Sequence, residues 1–255
     1  MRPRTVVLLA ALLLATPPSW AATTDVLTVR GRSQIVHLIG TRGAGTPVIV
    51  SSGDGGWMHL GPHVADALAA HGAFAVGFDV KAYLKGFTST TGTLQPEDIA
   101  ADYAELARYA ARGSSMRPLL VGVSEGAGLS VLAAANASTK SLLGGVIVIG
   151  LPDRNELGWR WKDSWIYVTH GVPNEPTFNS AAFVGHVAPL PLAAIHSTHD
   201  EFVSLDQLHQ TMAHAMDPKR VWVIAAADHR FSDNLTELDR RLFEALTWVT
   251  QNQPH

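Results

Sequence analysis

Short, almost unbroken apolar runs recur at residues 48–51, 73–78, 119–123, 145–150, 192–196 and 221–226, most of them flanked by Gly, Pro, Ser or Asp. Runs that are apolar at nearly every position, rather than at alternate ones, are expected of parallel strands buried on both faces. Longer segments with a helical period lie between them. Gln95-Pro96-Glu97-Asp98 opens one with Pro and two acids in its first turn, Ile99, Tyr103, Leu106 and Ala110 repeat along it, and Gly113 stops it. Another carries Leu235, Leu238, Leu242, Leu246 and Val249 on one stripe, and Asn234-Leu235-Thr236-Glu237 predicts a capping box at its start. Residues 23–40 predict one or two leading antiparallel strands. Alternating strands and helices predict an α/β domain, with a mostly parallel sheet covered by helices on both faces.

Two segments depart from this rhythm. Arg2 and Arg4 precede an apolar run at 6–15, followed by Pro17, Pro18 and the small-x-small site Ser19-Trp20-Ala21. That pattern predicts a secretory signal peptide over residues 1–21, cleaved after Ala21. A membrane anchor is the alternative, but the run falls well short of the roughly 20 apolar residues that span a bilayer. The second segment, 153–187, holds Trp159, Trp161, Trp165, Tyr167 and Phe178 among Arg, Lys, Asn and Pro without a clean period. It follows the sixth strand. It reads either as a short lid-like insertion with an aromatic binding surface, or as a loop whose Trp residues pack against the body. Residues 22–255 otherwise read as a single domain.

With 47 % hydrophobic residues the chain can fill a sizeable core, and a formal charge of −3 without a basic run excludes a sequence-independent attraction to nucleic acid. There is no cysteine, hence no lipid-modified N-terminal Cys, disulfide or thiolate metal site. No cofactor is expected. The signal peptide makes the mature protein periplasmic or secreted.

Gly122-Val123-Ser124-Glu125-Gly126 matches G-x-S-x-G between a buried strand and a small-residue helix. In that context it reads as a nucleophile elbow, a strained turn lifting the Ser124 hydroxyl above the sheet; by itself the pattern is also met as an idle glycine-rich turn. A serine nucleophile needs a base, and the base an orienting acid. Asp200 falls just past the strand at 192–196, and His229 just past that at 221–226. The order Ser124, Asp200, His229 is that of α/β-hydrolases. Asp228 and Glu201 are less well placed substitutes for Asp200. His196 and His199 flank Asp200, but two histidines without a third ligand do not make a catalytic zinc site. The glycine-rich stretch Ser52-Gly53-Asp54-Gly55-Gly56 follows the strand at 48–51. It offers the backbone N–H of Asp54 or Gly55 as one oxyanion donor, and the N–H of Glu125 is the second. Neither nucleotide-binding glycine pattern is present, so a phosphate-cradling role is not expected.

The motif Ser52-Gly53-Asp54-Gly55-Gly56-Trp57 resembles the opening motif of the VirJ/AcvB family of bacterial virulence-associated hydrolases. The likeness continues through residues 63–72, 77–83 and 122–127, and returns at Asp200 and at Asp228-His229-Arg230-Phe231. The resemblance implies a periplasmic serine hydrolase with the α/β-hydrolase fold, acting on the aminoacyl ester of lysyl-phosphatidylglycerol at the membrane surface, with envelope or secretion-system proteins as partners. The family's elbow commonly reads G-Y-S-F-G-A-D, whereas Glu125 here puts a charge beside the nucleophile. Trp57 and Tyr83 within these stretches, and Trp159 and Trp161 of the aromatic segment, are the candidate substrate-binding residues. Independently of the resemblance, the carboxylates of Asp54 and Glu125 lie where they could meet a cation such as a lysyl ammonium, or point to solvent. Two other readings compete with the lipid esterase: an esterase for smaller or polymeric exported substrates, and an envelope-associated binding protein that keeps the fold without the chemistry.

Overall fold

The computed structural model describes residues 22–160 and 175–254. The expected signal peptide with its cleavage site at Ala21 lies outside these residues, as do Trp161, Trp165 and Tyr167. No helix among the described residues is long and apolar enough to cross a membrane.

The strands, in chain order, are β1 (Thr23–Val29), β2 (Arg32–Ile39), β3 (Pro47–Ser51), β4 (Phe74–Phe78), β5 (Leu119–Val123), β6 (Gly145–Ile149), β7 (Arg154–Glu156), β8 (Thr177–Asn179), β9 (Leu192–Ser197) and β10 (Lys219–Ile224). One large sheet has the order β1-β2-β4-β3-β5-β6-β9-β10, and β7 pairs with β8 apart from it. Pairing is antiparallel from β1 to β4 and parallel from β4 to β10. β10 starts ahead of the predicted run because its register is set by β9, with Lys219 opposite Leu192.

Every residue of β3, β4, β5 and β6 is buried, for the reason the continuous runs suggested. Along β3, Ile49 faces one apolar layer while Val48 and Val50 face the other; along β6, Val146 and Val148 face the first and Ile147 and Ile149 the second. Helices α1 (Leu60–Ala70), α2 (Val80–Phe87), α3 (Pro96–Ala110), α4 (Glu125–Ala135), α5 (Ala137–Lys140), α6 (Leu205–Ala213) and α7 (Leu235–Gln251) complete the two layers. Residues of α2, α3, α4 and α6 join the first layer, and those of α1 and α7 the second.

The predicted capping box of α7 is absent. Asn234 makes no side-chain cap, its amide instead donates to the Ala225 carbonyl at 3.0 Å, and Glu237 is drawn to Arg240 and Arg241. The buried stripe of α7 starts at Leu238, since Leu235 is exposed. In the aromatic segment, Asn155, Leu157, Trp159 and Phe178 are buried, and the short pair β7–β8 lies beside α4. The described part of that segment is packed onto the body.

Candidate active site

Strands β3, β5, β6, β9 and β10 run parallel, so the loops that follow them gather on one edge of the sheet, where open α/β folds collect functional groups. Ser124 follows β5 with φ 51° and ψ −121°, a conformation L residues rarely adopt. It is held on both sides. Its N–H donates to the Ile149 carbonyl at 2.9 Å, and its own carbonyl accepts the Ala127 N–H at 2.7 Å. The flanking glycines are needed for space: a Cβ on Gly122 would sit 2.3 Å from the Gly126 oxygen, and one on Gly126 would sit 2.4 Å from the Ser51 oxygen.

Asp200 and His229 meet in the loops that follow β9 and β10. The His229 Nδ1–H donates to Asp200 Oδ2 at 2.5 Å, and the other carboxylate oxygen accepts the N–H groups of Phe202 and Val203, both at 2.9 Å. Burial pushes the Asp200 carboxyl up, but the His229 hydrogen bond and charge and the two backbone donors together hold it below the ordinary aspartate range. The ring of His229 is almost buried, stands edge-on to Phe202 at 5.4 Å, and leaves Nε2 without a hydrogen-bond partner among the described residues. With Nδ1 donating to Asp200, Nε2 is the ring's proton acceptor. Ser124 and His229 line the same cavity of about 320 Å³. A broader groove of about 510 Å³ beside β2 contains none of these residues.

The rival acids have other work. Asp228 accepts the N–H groups of Arg230 and Ser232 and organises the turn after β10, while Glu201 accepts the backbone N–H of His229 at 2.8 Å. Neither carboxylate bonds to the imidazole. His196 is fully buried and donates from Nε2 to the Val203 carbonyl at 2.9 Å, closing the loop that carries Asp200; burial holds its imidazole below the ordinary range. His199 lies beside Thr198 Oγ1 and the Ala226 carbonyl. No group of three His, Asp or Glu side chains among the described residues converges as a metal-ligand set.

Asp54, Gly55 and Glu125 line the cavity with Ser124. Among the described residues nothing occupies the N–H groups of these three, which leaves them open to an oxyanion. Gly53 lies close against Ser124: a Cβ there would stand 3.2 Å from Ser124 Cβ. The Glu125 side chain turns inward rather than to solvent. It is 6 % exposed, and its Oε1 accepts the Glu156 N–H at 2.7 Å. Burial first, then the Glu156 and Asp54 carboxylates, push its carboxyl well above the ordinary glutamate range, against the lowering effect of that N–H.

The candidate substrate-binding aromatics are placed elsewhere. Tyr83 is fully buried in the core, its hydroxyl donating to Asp102 Oδ2 at 2.6 Å, and Arg30 grips the same carboxylate. Burial, reinforced by Asp102, pushes that phenol well above its usual range. Trp57 stacks on His37 at 4.7 Å and covers Gly77, where a Cβ would meet its ring at 2.1 Å. Trp159 is 4 % exposed and lies under Lys81. Trp161 lies outside the described residues. None of the three described aromatics lines the cavity; Met58, Phe202, Arg154, Glu156 and Arg230 do. Gly150 was also missed: it has φ +59°, and a Cβ there would stand 2.5 Å from His229 Cε1. Its signal was a glycine ending an apolar strand beside two functional loops.

Strand order, elbow and the sequence of loops define an α/β-hydrolase fold. Solved structures agree: the α/β hydrolase GrgF of Penicillium sp. sh18 superposes with a TM-score of 0.66 at 13 % identity, covering 91 % of this chain and 99 % of its own. A lid-less serine hydrolase of Xanthomonas campestris gives 0.60 at 16 % over 91 % and 96 %. A membrane phospholipase A described as a novel bacterial virulence factor gives 0.66 at 13 % over 89 % and 86 %. At such identities the likeness is one of fold. The chain itself belongs to the family described as Bacterial virulence protein (VirJ), matched over residues 46–248, a span containing Ser124, Asp200 and His229. A comparison with curated proteins finds no match.

Proposed function

We propose that this protein is an exported serine hydrolase that cleaves a carboxyl ester through an acyl-enzyme, with the aminoacyl ester of lysyl-phosphatidylglycerol as its substrate. The observation that carries the hydrolase reading is the Asp200–His229 pair beside a serine held at a strained elbow in the same cavity. His229 Nε2 takes the Ser124 proton as Oγ attacks the acyl carbon, and Asp200 keeps the imidazole in the required tautomer and stabilises the imidazolium. The N–H of Glu125 and one from the 53–55 loop receive the oxyanion. On collapse the ester C–O bond breaks, His229 returns the proton to the leaving alcohol, and Ser124 retains the acyl group. Water, deprotonated by His229, then releases the acid.

Support for a lipid substrate comes from the family and from the cavity mouth. Met58 and Phe202 are large exposed apolar residues on its lining, suited to an acyl-chain surface. Arg154 and Arg230 line it as well and make no ion pair among the described residues, so they are free to meet a phosphodiester. Export rests on the N-terminal sequence pattern. Purified mature protein should release lysine from lysyl-phosphatidylglycerol vesicles, and Ser124→Ala should release none. Cleavage of simple esters without lysine release would keep the hydrolase and discard this lipid.

A further inference from the structure

Glu125 directly follows the nucleophile, and only one of its oxygens is committed. Oε1 accepts the Glu156 N–H, while Oε2 meets no donor among the described residues, and Glu125, more than nine-tenths buried, is one of the residues that line the cavity. Asp54 and Glu156 line the same cavity, close enough for both carboxylates to act on Glu125. A buried carboxyl with a spare acceptor and like-charged neighbours destabilises the protein alone. An organic cation reverses each of those costs. The donors do not converge as a metal-ligand set among the described residues, and a cavity of about 320 Å³ accommodates an organic group. Position decides which part of a substrate is read. The Glu125 N–H is a proposed oxyanion donor, so its side chain stays beside the acyl group bonded to Ser124, whereas the alcohol departs past His229.

We propose that Glu125 is the specificity-determining residue of this site, with Oε2 receiving an ammonium group carried on the acyl side of the ester. This rests on the hydrolase reading above but not on the lipid. The test uses soluble esters of one alcohol with Nα-acetyl-lysine or Nα-acetyl-norleucine, which differ in the terminal ammonium. A charge-assisted hydrogen bond of this kind predicts a preference of about tenfold or more in kcat/KM for the lysine ester, mainly through KM. Glu125→Gln, nearly the same size, should remove most of that preference. With the unsubstituted protein, n-butylammonium should inhibit norleucine-ester cleavage competitively and n-butanol should not. Equal cleavage of the two esters, a preference that survives Glu125→Gln in folded protein, or equal inhibition by the alcohol would overturn the assignment while leaving the hydrolase intact. Absence of any Ser124-dependent cleavage would end the hydrolase reading, and this inference with it.

Discussion

His229 is positioned by two contacts of very different kinds, a carboxylate at Nδ1 and a glycine against Cε1. Replacing the first, in Asp200→Asn, removes the acceptor that fixes the tautomer. By analogy with serine proteases, kcat on a soluble ester should fall by about 10⁴-fold with KM little changed. Replacing the second, in Gly150→Ala, adds a methyl 2.5 Å from Cε1 at a residue with φ +59°. The imidazole must shift, and a displacement near 1 Å predicts a loss on the order of 10²-fold in kcat, with circular dichroism unaltered. Glu125 bears on stability too. Its carboxyl ionises at higher pH folded than unfolded, so the folded state holds the proton more tightly in between, and stability falls as pH rises through that window. Glu125→Gln has nothing to ionise. Its gain in Tm over the unsubstituted protein should be absent below the ordinary glutamate value of about 4.3 and grow as pH rises above it. A gain that is constant with pH would contradict that origin.

Elements were legible where burial imposes a pattern. β3 to β6 could be read because a strand covered on both faces has no polar side, and α3 because Pro96, Glu97 and Asp98 announce its start, where the Asp98 carboxylate accepts the Gln95 N–H. The start of α7 misled because Asn234 and Glu237 found stronger partners away from the helix end, in Ala225 and the arginines of the next turn. Aromatic residues misled for a related reason. Nothing in a tyrosine's identity tells which side of an element it faces, and Tyr83 serves to satisfy Asp102 between α2, α3 and the end of β1. Tyr83→Phe should therefore lower stability by about 1–2 kcal/mol in denaturant unfolding, and leave kcat/KM on a soluble ester unchanged.

Across the whole molecule, parallel strands bring residues from distant parts of the chain to one edge, so the Asp200–His229 pair and the cavity that His229 shares with Ser124 were legible from strand ends and chain order alone. The rest of that cavity's lining was not. Phe202 and Met58 reach it from loops, and Arg154 and Glu156 from the short strand β7, none of which a periodic pattern records. Activation of Ser124 as a nucleophile by His229 and Asp200 is best tested by covalent labelling with a fluorophosphonate followed by intact mass and peptide mapping. A single adduct on Ser124 is expected, lost in Ser124→Ala and greatly slowed in Asp200→Asn. No adduct on the folded protein, or an adduct on another serine, would contradict it.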